Sequence, residues 1–427
     1  MTIAVFLGSL LAAMAIGIPI SFSLLLSGAA LMWHLDMFDA QILAQNLIEG
    51  ANSFPLLAVP FFMLAGEIMN AGGLSKRIVM FAMSLVGHVR GGLGYVAIMA
   101  AVIMAALSGS AVADAAALSA LLLPMMVRAG HDKARSAGLL ASASIIAPII
   151  PPSIAFVIFG VAANVSITQL FLAGVAPGLL LAVGLCFTWW FVARKELVAP
   201  RPRSNSGEVF TAFKNALFAL GLPIIVLVGL KFGVFTPTEA AVVAAVYALL
   251  VSMFVYRELK FDQLYGLFLA AAKTTAVIMF LVAAAMVSAW MITVAQLPDQ
   301  LVALFEPLLE HPRLLMAAIM VLVIVVGTAM DMTPTILILT PVLMPIVKAA
   351  GIDPVYFGVL FIMNNAIGLI TPPVGTVLNT VAGVGKVSID DVTKGVWPFM
   401  LVQFVLMFLM VLFPEIVMVP ARWLIGD

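Results

Sequence analysis

Apolar runs of membrane-spanning length follow one another along nearly the whole chain, and this feature removes most folds from consideration. A backbone in lipid has no water to bond, so only helices and closed barrels can cross. The runs suit helices of about 20 residues, and the residue-by-residue alternation of a membrane barrel is absent. The chain is 64% hydrophobic and 9% charged, whereas soluble domains carry about 25% charge. Formal net charge is zero, so nothing suggests nucleic acid as a partner. The single cysteine, Cys186, lies in an apolar run, which rules out intrachain disulfides and argues against a cysteine metal site. The first apolar run, 3–32, is too long for a signal-peptide core and lacks an A-x-A cleavage signal. It is read as a retained first span.

Full spans are expected near 3–32, 54–74, 134–163, 169–193, 214–234, 237–256, 263–295, 355–385 and 396–420. The stretches 95–127 and 314–347 do not fit single spans. As one helix each would be about 50 Å long, against a hydrocarbon core of about 30 Å. Both are interrupted midway, the first at SGS (108–110) and the second at GTAMDMTPT (327–335). Arms of about 13–17 residues are too short to cross, so each stretch is read as a re-entrant hairpin. Such backbone is tolerated at depth only when buried in protein or lining a wet cavity.

Charge sets the topology. With the N-terminus cytoplasmic, the inner segments hold Lys76, Arg77, Arg90, Arg128, Lys133, Arg135, Arg194, Lys195, Arg201, Arg203, Lys214, Arg257, Lys260, Lys386 and Lys394, fifteen of the 20 Lys and Arg. The outer segments hold only Lys231, Arg313, Lys348 and Arg422, and Lys273 falls inside a span. The positive-inside rule favours this assignment, with the first hairpin opening inward, the second outward and the C-terminus periplasmic. The polar linker 194–213 divides the chain into halves, 1–193 and 214–427.

The halves are related. At an offset of 221 residues Pro124 falls on Pro345, Ala129-Gly130 on Ala350-Gly351, Asp132 on Asp353, and Pro151-Pro152 on Pro372-Pro373. One gap then aligns VSI (165–167) with VSI (387–389). Each half has a hairpin followed by a proline-broken span (134–163 and 355–385), and the hairpins open to opposite sides. The expected fold is an all-α polytopic membrane protein of two inverted repeats, the architecture of a secondary transporter with its sites near the midplane.

Proline lacks an N–H and clashes with the preceding turn, so Pro-Pro leaves carbonyls without helical donors. Those carbonyls, with Ser and Thr hydroxyls, suit a hard cation such as Na⁺. One cation site is expected among Ser108, Gly109, Ser110, Pro151 and Ser153, and a second among Gly327, Thr328, Thr371, Pro372, Gly375 and Thr376. The competing reading is a plain kink, with the hydroxyls bonded back to their own helices. Asp114, Asp331, Thr333, Thr335, Asn365 and Asn379 are candidates for substrate binding or coupling. A buried carboxylate is costly and usually functional; capping or bracing is the plainer role. An aspartyl dyad of Asp114 and Asp331 would suggest an intramembrane hydrolase, but no GxGD or YD pattern surrounds them. Glu67 and Lys273 are the other intramembrane charges and could pair or brace a hairpin. Glu239 is read as serving a helix N-terminus. Trp189, Trp190, Trp397 and Trp423 are read as interfacial anchors. The four histidines fall at loops or interfaces, and no intramembrane Ser–His pair is evident.

Six stretches, SFPLLAVPFFMLAGEIMNAGG (53–73), SGSAVADAAALSALLLPMM (108–126), IIPPSIAF (149–156), FTPTEAAVVAAVYALL (235–250), MDMTPTILILTPVLMPI (330–346) and LITPPVGTVLN (369–379), together resemble the large membrane subunit of tripartite ATP-independent periplasmic (TRAP) transporters. The resemblance covers about residues 3–420. It implies a Na⁺-driven elevator-type importer of organic acids, such as C4-dicarboxylates or sialic acid, in the bacterial inner membrane, with Na⁺ as coupling ion, no cofactor and no enzymatic activity. It also implies two partners besides membrane lipid: a periplasmic substrate-binding protein and a small four-helix membrane subunit. No four-helix region flanks the matched segment, so the small subunit is expected as a separate chain. The first span and the 169–256 region would form the scaffold that meets it. The alternative is a stand-alone Na⁺/carboxylate symporter that works without a binding protein.

Overall fold

Two kinds of helix interruption organise this molecule: left-handed turns between antiparallel helices, and proline breaks inside what would otherwise be single helices. The structure is a computed structural model describing residues 2–426 except 195, 197, 199–201, 298–301, 303 and 304. Among the described residues, nine helices are long and apolar enough to cross a membrane.

The N-terminal run is not one span. It forms α1 (Thr2–Ala15) and α2 (Ile20–His34), of 14 and 15 residues. The cause is local. Gly17 adopts φ +87°, which only glycine enters freely, and Pro19 stands just before α2 without a donor N–H. The N–H of Ile18 closes the turn on the Ala13 carbonyl. Phe6 then meets Leu31 and Met32 in one buried cluster, so the two helices run antiparallel. This removes the single pass on which a cytoplasmic N-terminus rested. A helix pair returns the chain to the side it came from, whether or not its legs of about 21–23 Å cross fully.

Next come α3 (Ala40–Ala51), a 3₁₀ turn (Phe54–Leu57) leading into α4 (Ala58–Ala71), and amphipathic α5 (Leu74–Val86). In the second half, α11 (Ser206–Lys231), α12 (Pro237–Leu250, running on through a π turn at Val251–Val255) and the 34-residue α13 (Phe261–Val294) complete one body. α2, α3 and α4 pack on α13, and α4 packs on α12. Ser288 donates to the Leu24 carbonyl across this packing, at 2.8 Å. Thr236 and Glu239 form a capping box at the start of α12, the role read for Glu239.

The other body holds the hairpins. The first is α6 (Gly92–Ser108) and α7 (Ala111–Arg128); a short α14 (Glu306–Leu309) precedes the second, α15 (Pro312–Ala329) and α16 (Met332–Ala349). Their arms have 17 or 18 residues, about 26 Å, so they are longer than expected and arm length alone does not forbid crossing. Each hairpin is followed by a broken segment: α8 (Lys133–Ser144) and α9 (Ile154–Ala163), then α17 (Pro354–Gly368) and α18 (Thr376–Gly385). Long α10 (Ile167–Ala193) and α19 (Ile389–Leu412) close the two halves. The last expected span stops at Leu412; Pro414 separates it from amphipathic α20 (Glu415–Ile425). α10 packs on α6, α19 and α20. Residues 169–193 therefore belong to the hairpin body, not to a scaffold with α11 and α12.

Caps repeat between the halves. Ser110 and Asp331 precede α7 and α16, Asp132 and Asp353 cap α8 and α17, and Ser166 and Ser388 cap α10 and α19. The offset is 221 through the hairpins and 222 from the second half of each broken segment onward, so the gap lies inside the break, at Val374. The packing crosses over: α7 lies on α18 of the other half, and α16 lies on α9.

Trp189 is not an interfacial anchor. It is fully buried, donates Nε1–H to the Gly91 carbonyl at 2.8 Å and lies beside the His131 ring. His131 Nδ1 is 2.6 Å from Glu196, which pins the start of the linker to the mouth of the first hairpin. Trp190, Trp397 and Trp423 are exposed, as anchors would be.

Two outcomes follow. In a Cys186→Ala background, a cysteine replacing Thr2 will react with a membrane-impermeant thiol reagent from the outer face; labelling only after permeabilisation would restore the cytoplasmic N-terminus. Gly109 has φ +59°, and a Cβ there would lie 2.5 Å from the Pro152 carbonyl oxygen. Gly109→Ala will cost about 2 kcal/mol or more and lower the thermal midpoint. Gly383→Ala, with nothing near its Cβ position, will be neutral or slightly stabilising.

Candidate functional site

Each hairpin tip rests on the break of its own repeat. The first tip is a left-handed turn at Gly109, and it sits against Pro152, Ser153 and Ile154 so closely that only glycine fits. Ser108 donates its hydroxyl to Asp114 Oδ1 at 2.6 Å, and the Ser110 N–H donates to Ser108 Oγ at 3.3 Å. Ser110 Oγ accepts the Ala113 N–H and thereby caps α7. Asp114 is 0% exposed, and its Oδ2 has no hydrogen-bond partner. A buried carboxylate oxygen without a partner is costly; a cation or proton would remove that cost.

Opposite this tip the chain leaves α8 at Ser144 and resumes at Ile154. Ser153 caps α9 by accepting the Phe156 N–H, and its own hydroxyl donates back to the Pro148 carbonyl at 2.6 Å. Among the described residues no hydrogen bond ends on the carbonyl of Pro151 or Pro152. The break between α8 and α9 leaves these two acceptors open. The N–H groups the prolines lack would have served Ala147 O, which accepts none among the described residues, and Pro148 O, which takes the Ser153 hydroxyl instead.

At the second tip Gly327 meets Gly368, with a Cβ on Gly368 only 3.2 Å from the Gly327 carbonyl oxygen. Asp331 stands at the N-cap position of α16, is exposed, and accepts from the Thr376 hydroxyl at 3.2 Å. Thr376 is the first residue of α18, so this bond joins tip to break directly. Gly375 turns the chain into α18 with φ +38°. Asn379 closes the same break by donating to the Val374 carbonyl at 2.7 Å.

The two carboxylates are not symmetry mates. Asp331 occupies the place of Ser110, and Asp114 that of Thr335. One acid is therefore sealed beneath its tip while the other stands in the mouth of its tip. Thr335 is buried and donates to the Asp331 carbonyl of its own turn.

Several candidates bond back to their own segment, Thr371 also meeting Met400 Sδ of α19 at 3.6 Å. Thr328 donates to Val325 O, Thr371 to Ile367 O, and Asn365 Nδ2 to Phe361 O. These hydroxyls follow the kink reading, yet a hydroxyl that donates its proton keeps its lone pairs for another partner. The Asn365 carbonyl oxygen is buried without a partner. Thr333 is half-buried. Glu67 and Lys273 do not pair; Glu67 is half-buried and Lys273 faces outward.

Two buried amides escaped the sequence reading. Asn364 donates to Met320 O at 2.7 Å, tying α17 to the first arm of the second hairpin. Gln403 donates to Ser142 O at 2.9 Å, fastening α19 beside the first break. Both lie in apolar runs, where an isolated amide is itself a signal of interhelical bonding.

This geometry has relatives. The family model for the DctM component of tripartite ATP-independent periplasmic transporters matches residues 7–416. The chain is 56% identical over 424 residues, 99% of this chain and 100% of the other, to the 2,3-diketo-L-gulonate TRAP transporter large permease protein YiaN of Escherichia coli (strain K12). It is 38% identical to the sialic acid TRAP transporter large permease protein SiaM of Vibrio cholerae, with 96% of each chain covered. It is 36% identical to the C4-dicarboxylate TRAP transporter large permease protein DctM of Pseudomonas aeruginosa, with 94% of each covered. The crystal structure of the Alcanivorax borkumensis YdaH transporter, described as having an unusual topology, shares the fold at a TM-score of 0.66 and 16% identity, covering 88% of this chain and 89% of that one. The chain thus belongs to the DctM family of TRAP transporter large permeases, transport proteins of the membrane rather than enzymes.

Proposed function

We propose that this chain is the large permease of a Na⁺-coupled importer of an organic acid, working with a periplasmic binding protein and a separate small membrane subunit in the bacterial inner membrane. The observation that carries this reading is the pairing of each hairpin tip with a proline break, with one carboxylate at each pair: Asp114 with Ser108, and Asp331 with Thr376. Oxygen-rich breaks suit Na⁺. The helix N-termini at Ile154 and Thr376 offer N–H groups to a carboxylate. The substrates in the relatives' names, 2,3-diketo-L-gulonate, sialic acid and C4-dicarboxylate, share that carboxylate.

In this mechanism the repeats are inverted, with the first hairpin opening inward and the second outward. Na⁺ bound at both breaks orders the tips and supplies the positive charge that holds the substrate anion. The hairpin body then moves as a unit against the body built on α13. Coupling arises because Na⁺ and substrate favour the same closed state. Asp331 suits a gating role, since it is exposed and bonded across the gap. Asp114 suits a fixed ion site, since it is sealed.

The test is uptake into proteoliposomes containing both membrane subunits, with the binding protein outside and a Na⁺ gradient as the only driver. Uptake will follow the Na⁺ gradient and require the binding protein. Uptake indifferent to Na⁺ would overturn the coupling, and uptake of free substrate without the binding protein would favour a stand-alone symporter. Thr376→Ala removes a hydroxyl bonded to a carboxylate, worth about 1.5–3 kcal/mol. It will raise the half-saturating Na⁺ concentration about tenfold; an unchanged Na⁺ dependence would remove Thr376 from the site.

A further inference from the structure

Two lysines stand unpaired on two walls of one cavity at the membrane edge. The cavity, of about 1210 Å³, lies between α5, the first half of α11 and the end of α12. Its depth follows from two helices. In α11 the run 215–230 carries no charge and is bounded by Lys214 and Lys231. In α12 and its π turn the uncharged run is 240–256, bounded by Glu239 and Arg257. These runs are about 24 and 26 Å long, close to the thickness of the hydrocarbon core, so the charges that bound them lie at its edges. At the far edge Lys231 sits over the Trp423 ring at 4.9 Å, as expected at an interface. Lys214 and Tyr256 share the edge nearest the linker.

The floor of the cavity is fixed by its own bonds. Arg77 lies over the Tyr256 ring at 3.8 Å and pairs with Glu258 at 2.7 Å. Tyr256 donates its hydroxyl to the Asn215 carbonyl at 2.9 Å and accepts the Ala219 N–H at 3.2 Å, which ties α12 to α11. Gly73, with φ +75°, lets α5 begin against Glu258, where a Cβ would overlap the carboxylate. Both acids of the lining are engaged: Glu258 with Arg77, and Glu208 with the Asn205 N–H in the capping box of α11. Lys76 of α5 and Lys214 of α11 are exposed, and among the described residues neither pairs with a carboxylate. On the hydrocarbon side the lining turns apolar. Leu217 and Phe218, one turn beyond Lys214, are 45% and 41% exposed, and Val255 is 46% exposed.

We propose that this cavity holds an anionic phospholipid, its phosphate between Lys76 and Lys214 and its acyl chains along Leu217, Phe218 and Val255. An ammonium has three donors and no acceptor, so two of them unpaired around one space favour an anion. The apolar lip gives a free anion nothing, whereas acyl chains cover it. A zwitterionic headgroup brings an ammonium of its own, which the lysines repel. The membrane already supplies a phosphate at this depth with chains beneath it. A phosphate held by both lysines bridges α5 to α11, so the lipid also braces these two elements.

The experiment uses the purified permease, with any small subunit that co-purifies, stripped of lipid in detergent. Native mass spectrometry follows its titration with phosphatidylglycerol and with phosphatidylcholine of the same chains. Phosphatidylglycerol will bind at least tenfold more tightly, and excess inorganic phosphate will not displace it. Lys76→Gln combined with Lys214→Gln will lower its affinity at least tenfold, to that of phosphatidylcholine. Lys348→Gln, at an exposed lysine elsewhere, will leave it unchanged. Thermal midpoints without lipid will be equal for all three proteins, since only exposed side chains are exchanged. Equal binding of the two lipids, or an equal loss with Lys348→Gln, would overturn the proposal. Displacement by phosphate would make the cavity a free-anion site instead. Loss of the small subunit from the double variant, with no headgroup selectivity in the unaltered chain, would make it a protein contact and overturn the lipid.

Discussion

A carbonyl released by proline inside a membrane must find its partner in protein, because lipid offers none. The hairpin body of this structure is arranged around that requirement. Pro151-Pro152 and Pro372-Pro373 open two helices in mid-course, and each opening is covered by a hairpin tip from the same half of the chain. Glycine makes the approach possible: Gly109 on Pro152, and Gly327 on Gly368. The openings are thus shielded from lipid while their oxygens stay available to a cation or a substrate.

The cross-packing of the halves gives this arrangement its unity. α7 lies on α18 and α16 lies on α9, so each hairpin's returning arm braces the second half of the other repeat's broken segment. In the proposed mechanism, loosening one tip would be felt at the break of the other repeat. Such linkage is what coupling needs, since two ligands influence each other only through states that both can distinguish. The differing carboxylates break the symmetry. Asp114 is sealed with one oxygen unpaired, while Asp331 reaches across to Thr376.

Prolines, glycines and the offset of the repeats were legible in the sequence because they act through the backbone, where residue type alone fixes what the chain can do. The same logic was available in the N-terminal run, where Gly17 and Pro19 mark the turn between α1 and α2, but hydropathy summed over 30 residues masked it. The register of the carboxylates was also legible: the offset that aligns the prolines separates Asp114 from Asp331. Side-chain partners were not legible. That Trp189 would be buried against Gly91, that Thr328 and Thr371 would turn back to their own helices, or that Asn364 would bridge to Met320 depends on which faces meet after folding. A pattern of residue types along one helix does not contain that.

The central claim is that the two tip-and-break pairs are the ion-sensitive elements of this permease. Amide hydrogen exchange of the purified transporter in Na⁺ against K⁺ at equal ionic strength addresses it directly. The account predicts that exchange slows in Na⁺ within residues 108–114, 151–156 and 371–379, while α1 to α4 are unchanged. Equal exchange in both cations across those three segments would contradict it.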